Sequence, residues 1–222
     1  GEKRTLTDVA SFFQDEDENV RKEAQTAYWN FFKEHEEEFD NIYDSLVKVR
    51  DKMAKKLGYK NFVQMGYDRM GRTDYGPEEV ARFREGAKKY IVPIAVKDIE
   101  EQRKRFGYDE MYYYNLPFKY KTGNPKPQGG IEFLQDKAKV MYDELSTETS
   151  EFFTKMLDMN LMDLDQKKGK APGGYCTFLE DYGVPFIFSN SNGTSDDVDT
   201  LTHEVGHAFQ VYSARDQILQ EQ

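Results

Sequence analysis

Apolar residues recur at helical spacing through the first two thirds of the sequence, and this periodicity constrains the fold more than any other feature. One stripe runs from Val20 to Phe32, with apolar side chains three, four and seven residues apart, a spacing that places them on one face of an α-helix. A second stripe runs from Phe39 to Leu57 and stops at Gly58, a residue type that often ends helices. Further helices are predicted to begin at Gly76-Pro77, Ile131 and Ser146, with a kink or break near Pro93. The sequence therefore predicts a mainly α-helical scaffold over residues 1–168.

The pattern changes after Gly169, where helical spacing stops. The stretches Gly173–Phe178 and Pro185–Ser189 have the character of two short strands around a turn at Glu180–Gly183. Proline at the start of the second strand favours an edge position, because proline donates no hydrogen bond to a neighbouring strand. We therefore expect a small antiparallel β-hairpin in this part of the chain.

A loop at Asn190–Gly193 separates this hairpin from a final helix. Thr194 together with Asp197, or Ser195 alone, can accept hydrogen bonds from the free amides at the start of that helix. Because no linker, internal repeat or low-complexity tract is found, the sequence indicates one domain. Within that domain, residues 169–222 supply the hairpin and the final helix.

Charge and composition argue against several classes of protein. Asp and Glu outnumber Lys and Arg by 41 to 31, and the net charge of −10 would repel the phosphates of a nucleic acid. No apolar run approaches the roughly 20 residues that span a bilayer, and no basic and apolar leader is found. Cys176 is the one cysteine, which excludes an internal disulfide and suits a reducing compartment. We expect a cytoplasmic protein that binds neither nucleic acid nor membrane, and the sequence leaves the oligomeric state open.

The final helix contains His203-Glu204-Val205-Gly206-His207, the H-E-x-x-H pattern. Residues four positions apart lie about 40° apart around a helix, so both imidazoles project from one face. Two neutral imidazole nitrogens can hold Zn²⁺ and leave positions on the metal open. Glu204 lies about 100° around the helix, where its carboxylate can take a proton from a metal-bound water as that water attacks a carbonyl. The motif predicts His203 and His207 as zinc ligands and Glu204 as the catalytic base.

The remaining residues of this helix agree with the assignment. An apolar stripe on the opposite face is expected to face the core, and it comprises Val198, Leu201, Val205, Ala208 and Tyr212. Asp199 lies one turn before His203, where its carboxylate could accept the remaining N–H of that imidazole and orient the ring. The alternative is that Asp199 only stabilises the start of the helix. The sequence does not separate these two interpretations.

Several strings in this region, and two further upstream, match a known family. They are Gly169-Lys-Ala-Pro-Gly-Gly-Tyr-Cys176, Pro185-Phe-Ile-Phe-Ser-Asn190, Asn192-Gly-Thr-Ser195, Asp199 to Gln210, Ala27 to Phe32 and Arg72 to Tyr75. Together they closely resemble the oligoendopeptidase F family of cytoplasmic zinc peptidases, which is related to thimet oligopeptidase. The resemblance implies a helical, zincin-like peptidase body with a small sheet beside an active-site channel, and short unfolded peptides as substrates. It also implies that His203 and His207 bind one Zn²⁺ and that Glu204 is the catalytic carboxylate.

The resemblance also implies parts that this sequence lacks. Family members are far longer, and a glutamate on a helix after the motif supplies their third zinc ligand. Glu221 is the sole glutamate after the motif here, and its spacing is too short for that role. The family's downstream His and Tyr residues, which stabilise the oxyanion, are also missing. We therefore expect 1–222 to be part of a single metallopeptidase catalytic domain, truncated at both ends, inactive by itself and able to bind zinc only weakly.

Several alternatives stay open at this point. Either Gly173–Phe178 or Pro185–Ser189 could pair with an extended peptide substrate by β-augmentation, or the hairpin could serve folding alone. Cys176 could be a nucleophile, although a lone cysteine on a strand is more typical of packing. The leading function is a zinc-dependent endopeptidase acting on short peptides. The competing functions are a non-catalytic module for binding or assembly and a domain whose metal is structural.

Overall fold

A computed structural model describes residues 4–217 and is mainly helical, which confirms the predicted fold class. The α-helices in chain order are α1 (Leu6–Ala10), α2 (Glu18–Glu34), α3 (Glu36–Lys56), α4 (Phe62–Arg69), α5 (Pro77–Gly86), α6 (Val92–Phe106), α7 (Ile131–Leu145), α8 (Thr147–Asp158) and α9 (Asp196–Ser213). The strands are β1 (Met162–Asp165), β2 (Tyr175–Leu179) and β3 (Val184–Ser191). Within the described residues, no helix combines the length and the apolar character needed to cross a membrane.

Helix boundaries follow the local signals predicted from the sequence. The helix α3 ends at Lys56, and Gly58 adopts a left-handed conformation with φ of 85° just beyond it. The helix α8 begins after Ser146, whose hydroxyl accepts a hydrogen bond from the Thr149 amide at 3.2 Å. Such signals act over a few residues, so they can be recognised without knowledge of the tertiary fold.

The predicted interruption near Pro93 is also present. A π-helical segment at Ala87–Ile91 joins α5 to α6, and Pro93 lies in the first turn of α6. The Val92 amide donates to the Ala87 carbonyl, five residues earlier, and Pro93 has no amide hydrogen to donate, so regular α-helical hydrogen bonding is interrupted at this point.

Contacts divide the chain into two compact units. One unit is Thr26–Leu116, and the other consists of the described residues up to Gln25 together with those from Pro117 onward. The second unit, which we call the sheet unit, contains α7, α8, the three strands and α9. Its buried side chains form an apolar cluster, in which Phe153, Ile187 and Val205 are fully buried. The assignment of the whole chain to a single catalytic domain stays a prediction.

The sheet has the strand order β1-β3-β2, with β1 parallel and β2 antiparallel to β3. Cys176 on β2 lies opposite Ile187 on β3, and the pairing agrees with the predicted antiparallel hairpin. The strand β1 was not predicted, since residues up to 168 were assigned to the helical scaffold. Its four residues are too few to establish an alternating pattern, and its partner β3 lies more than twenty positions further along the chain.

The predicted edge position of Pro185 is wrong, because β3 is the central strand. Pro185 pairs with Phe178 of β2 on one side, whereas pairing with β1 begins only at Ile187, whose amide donates to the Leu161 carbonyl at 2.9 Å. On the β1 side, therefore, the ladder begins two residues after the proline. The missing donor of Pro185 leaves no gap in that ladder, which is why a central strand tolerates it.

Candidate metal centre

The loop before α9 is fixed by the Asp197 side chain, which lies in the first turn of that helix. Its two carboxylate oxygens accept hydrogen bonds from the backbone amides of Asn192 at 3.0 Å and Gly193 at 2.8 Å. Gly193 has a φ of 82°, a backbone conformation that other residues rarely adopt. The loop and the first turn of α9 are thereby joined, which sets the direction in which the helix leaves the sheet.

This arrangement differs from the predicted helix cap. The Ser195 side chain makes no capping hydrogen bond, and the Thr194 hydroxyl donates to the Asn192 side chain at 2.7 Å. The predicted residues lie at the helix start, but their hydrogen bonds serve the loop. The Asn192 side chain accepts from the amide and hydroxyl of Thr194, and Asp197 accepts from two loop amides, so these side chains bond within the loop.

One face of α9 packs against the core of the sheet unit, mostly as predicted. Leu201, Val205 and Ala208 are buried there. Tyr212 is partly buried, and its ring lies 5.2 Å from that of Phe152. Val198 is 42% exposed, contrary to the prediction, because it lies in the first turn, before Leu201 reaches the core.

His203 and His207 lie on the exposed side of α9, and their side chains converge. Their Nε2 atoms are 3.0 Å apart, and the two rings are nearly perpendicular, at 86°. Two nitrogens that are each about 2.0–2.1 Å from a tetrahedral zinc ion would be roughly 3.3–3.4 Å apart. The pair thus needs only a small side-chain adjustment to hold the ion, so the two imidazoles fit half of a zinc site.

Glu204 is only 8% exposed, and its carboxylate acts electrostatically on β2. Burial raises the pKa of the Cys176 thiol to about 11, and the negative charge of Glu204 is the second cause of this rise. Residues of α9 and β2 contact one another, so β2 lies beside the helix that carries the motif. A half-buried thiol with a raised pKa also argues against the nucleophilic role considered for Cys176.

The other predicted contributors to the metal site are not brought together. Among residues 4–217, no third His, Cys, Asp or Glu side chain joins the two imidazoles in a group that could hold a metal. Asp199 is exposed, and in the described part of the chain no hydrogen bond joins its carboxylate to His203. Glu221 lies outside the described residues. The roles assigned to His203, Glu204, His207 and Asp199 stay predictions.

The architecture, a mainly helical chain with an H-E-x-x-H helix beside a small three-stranded sheet, agrees with the predicted helical peptidase body. The model of peptidase family M3 matches residues 11–220. The chain therefore belongs to peptidase family M3, and the resemblance to oligoendopeptidase F is confirmed.

Individual relatives agree with this assignment. The chain is 25% identical to the chromosomal oligoendopeptidase F of Lactococcus lactis subsp. cremoris, with 94% of this chain and 34% of that protein covered. It is 23% identical to the group B oligopeptidase PepB of Streptococcus agalactiae serotype III (strain NEM316), with the same two shares covered. The chain thus spans about a third of the length of the curated relatives it matches.

Solved structures show the same fold at higher sequence identity. One is PZ peptidase A with an inhibitor, at 56% identity and a TM-score of 0.95, covering 97% of this chain and 38% of that one. Another is a Bacillus anthracis str. Ames protein whose description assigns it to oligoendopeptidase F, at 52% identity and a TM-score of 0.93. The match covers all of this chain and 40% of the Bacillus anthracis chain.

Proposed function

We propose that the protein carrying this chain is a zinc-dependent endopeptidase that hydrolyses short peptides. The observation that carries the proposal is the pair of imidazole nitrogens 3.0 Å apart on α9, with the buried Glu204 on the same helix. This helix contacts the strand β2. The oligopeptidase names of the relatives support short peptides as the substrate class.

In this proposal His203 and His207 would hold zinc. When bound, the ion would act as a Lewis acid that polarises the peptide carbonyl and lowers the pKa of a water molecule at the site. Glu204 accepts the proton of the attacking water and can pass it to the leaving amine. Its low exposure shields the carboxylate from bulk solvent and leaves the side chain few alternative positions. Such confinement favours proton transfer, because the acceptor is already near the reacting atoms.

We further propose that β2, rather than β3, pairs with the backbone of the peptide. Within the described residues β3 has a neighbour on each side, whereas β2 pairs only with β3. An edge strand has free N–H and C=O groups that an extended peptide can use. The contact between β2 and α9 supports a peptide path along β2 that passes the helix bearing Glu204.

The test uses a version of the protein extended to the length of its relatives. After loading with zinc, it should cleave an internally quenched fluorescent peptide, lose activity on chelation and regain it when zinc is restored. His207→Ala should bind less zinc in equilibrium dialysis and lose cleavage. Zinc-loaded protein that cleaves no peptide in a varied peptide library would refute the proposal.

The competing function, a non-catalytic module for binding or assembly, is favoured by one observation. Two ligands converge among residues 4–217 without a third, and a catalytic zinc ion usually has three protein ligands. The 222-residue chain assayed beside the extended version separates the two functions. If only the extended version binds zinc and cleaves peptide, the result supports the peptidase. If both versions fail to bind zinc and to cleave peptide, the result supports the module.

A further inference from the structure

Lys170 is a buried cation that lies outside the H-E-x-x-H helix. Its side chain is only 6% exposed, although lysine is rarely buried unless its charge is paired. The ammonium donates to the backbone carbonyls of Asp163 at 3.0 Å, Asp165 at 2.7 Å and Ser189 at 2.6 Å. It also lies 3.3 Å from the Asp163 carboxylate. The three N–H donors of the ammonium are thus matched by three carbonyls and one negative charge.

These carbonyls belong to the place where the ladder between β1 and β3 becomes irregular. The register of the two strands shifts between Asp163 and Asp165, and such a shift leaves backbone groups without a partner in the ladder. Carbonyls without a ladder partner accept a hydrogen bond from another donor or from water. Lys170 supplies that donor, so the side chain anchors the loop at 169–174 to the ends of β1 and β3.

The same ammonium is connected to the beginning of β2. It lies 4.5 Å from the centroid of the Phe188 ring, and this ring stacks on Tyr175 at 5.0 Å with an angle of 16° between the planes. Tyr175 is the first residue of β2 and lies directly opposite Phe188 in the ladder. Lys170 therefore contacts the aromatic pair that aligns β2 with β3.

Asn190 holds the loop at two further points. Its side-chain amide donates to the carbonyls of Ala171 and Gly173, each at 2.9 Å. The 169–174 loop is thus fixed at Lys170, Ala171 and Gly173, and one residue separates the last of these from β2. The position of the β2 edge follows from these anchors.

We propose that Lys170, assisted by Asn190, is a positioning residue that orders the free edge of β2 for pairing with a peptide substrate. This inference rests on the proposed function, because it takes β2 as the peptide-binding strand. An edge that is ordered before the peptide arrives loses less conformational entropy on binding. Loss of the anchor should therefore weaken peptide binding more than it slows the chemical step.

The first experiment measures amide hydrogen exchange in the 222-residue chain. Lys170→Met replaces lysine with an unbranched side chain of similar length that has no ammonium group. The matched control is Thr149→Val, which removes the buried hydrogen bond from the Thr149 hydroxyl to the Tyr142 carbonyl, 2.8 Å long, between α7 and α8. We expect Lys170→Met to speed exchange at residues 171–177 at least about tenfold, with α7 and α8 unchanged, and the control to show the reverse pattern.

Asn190→Ala is the second variant, because it removes two loop hydrogen bonds without burying or exposing a charge. It should speed exchange at the same residues by a smaller factor, and it decides the question if Lys170→Met does not fold. Exchange that is unchanged in the loop, or that rises uniformly over the sheet unit, would show that these residues do not specifically order the β2 edge.

The second experiment measures peptide cleavage in the zinc-loaded extended protein. We expect Lys170→Met to raise KM about tenfold and to leave kcat within about twofold. Thr149→Val should leave KM unchanged, even if it lowers Tm as much as Lys170→Met does. An unchanged KM in Lys170→Met would reduce Lys170 to a structural role. If the wild-type extended protein cleaves nothing, the proposed function fails, whereas hydrogen exchange still decides whether Lys170 orders the loop.

Discussion

Replacing Glu204 with glutamine separates the proposed proton-accepting role of this side chain from its packing. Glutamine has nearly the same volume and shape, so a position that is 8% exposed can accept it without repacking α9. The proposed zinc ligands His203 and His207 are unchanged. The substitution therefore removes little except the basic oxygen.

Because the substitution changes little besides the proton acceptor, the fall in kcat should equal the contribution of proton transfer. Proton transfer by a positioned side chain contributes about 10²–10⁴-fold to a rate. We expect kcat of the extended protein to fall by that factor, which corresponds to about 2.7–5.4 kcal/mol in the activation free energy. Zinc content and Tm should stay near the wild-type values.

The structure provides a second readout that is independent of cleavage. The Cys176 thiol has its pKa raised to about 11, chiefly by burial and next by the charge of Glu204. Glu204→Gln removes the second cause and leaves the first, so the thiol pKa should fall but stay above its ordinary value. The rate of alkylation of Cys176 against pH measures this change, because the thiolate is the reacting form.

Cleavage of a quenched fluorescent peptide and zinc content measured by mass spectrometry complete the assay. Asp196→Asn is the control, since it makes the same acid-to-amide change at an exposed position of α9. Glu204→Gln protein that keeps zinc and turns over peptide at the wild-type rate would refute the catalytic role. A thiol pKa that does not change would refute the placement of the carboxylate beside Cys176.

Three other expectations concern stability and metal binding. Phe153→Ala removes a ring that is 0% exposed and packs 4.9 Å from the Tyr142 ring, and it should cost about 3–5 kcal/mol in urea unfolding. Because the raised pKa means that the folded state holds the Cys176 proton more tightly than the unfolded state, stability should fall as pH rises through the ordinary thiol range toward about 11. Cys176→Ala should remove this part of the pH dependence, and an identical pH profile would contradict it. The 222-residue chain should bind zinc more weakly than the extended version in equilibrium dialysis, and equal affinity would show that its two histidines suffice or that another residue completes the site.

Local features of the sequence were enough to predict the longer helices and the motif, whereas the short helices α1 and α4 were not predicted. Gly58 after α3 and Ser146 before α8 act within one helical turn, so their effect does not depend on what packs nearby. The convergence of His203 and His207 follows in the same way from the helical repeat, and the structure has their nitrogens in contact. The position of Glu204 around the helix is local too, but its burial against the sheet is not.

The tertiary structure decided the features that join distant parts of the chain. The strand β1 exists because β3 is available to pair with it, and four residues alone do not favour a strand. Pro185 occupies a central strand because the β1 ladder begins beyond it. Lys170 is tolerated in the interior because three carbonyls and a carboxylate from β1 and β3 converge on it. The sequence by itself thus determined the longer helices and the chemical groups that one helix displays, because both arise within a few residues. Which strand edge remains free beside that chemistry depended on pairing between segments far apart in sequence, and only the folded structure settles such pairing.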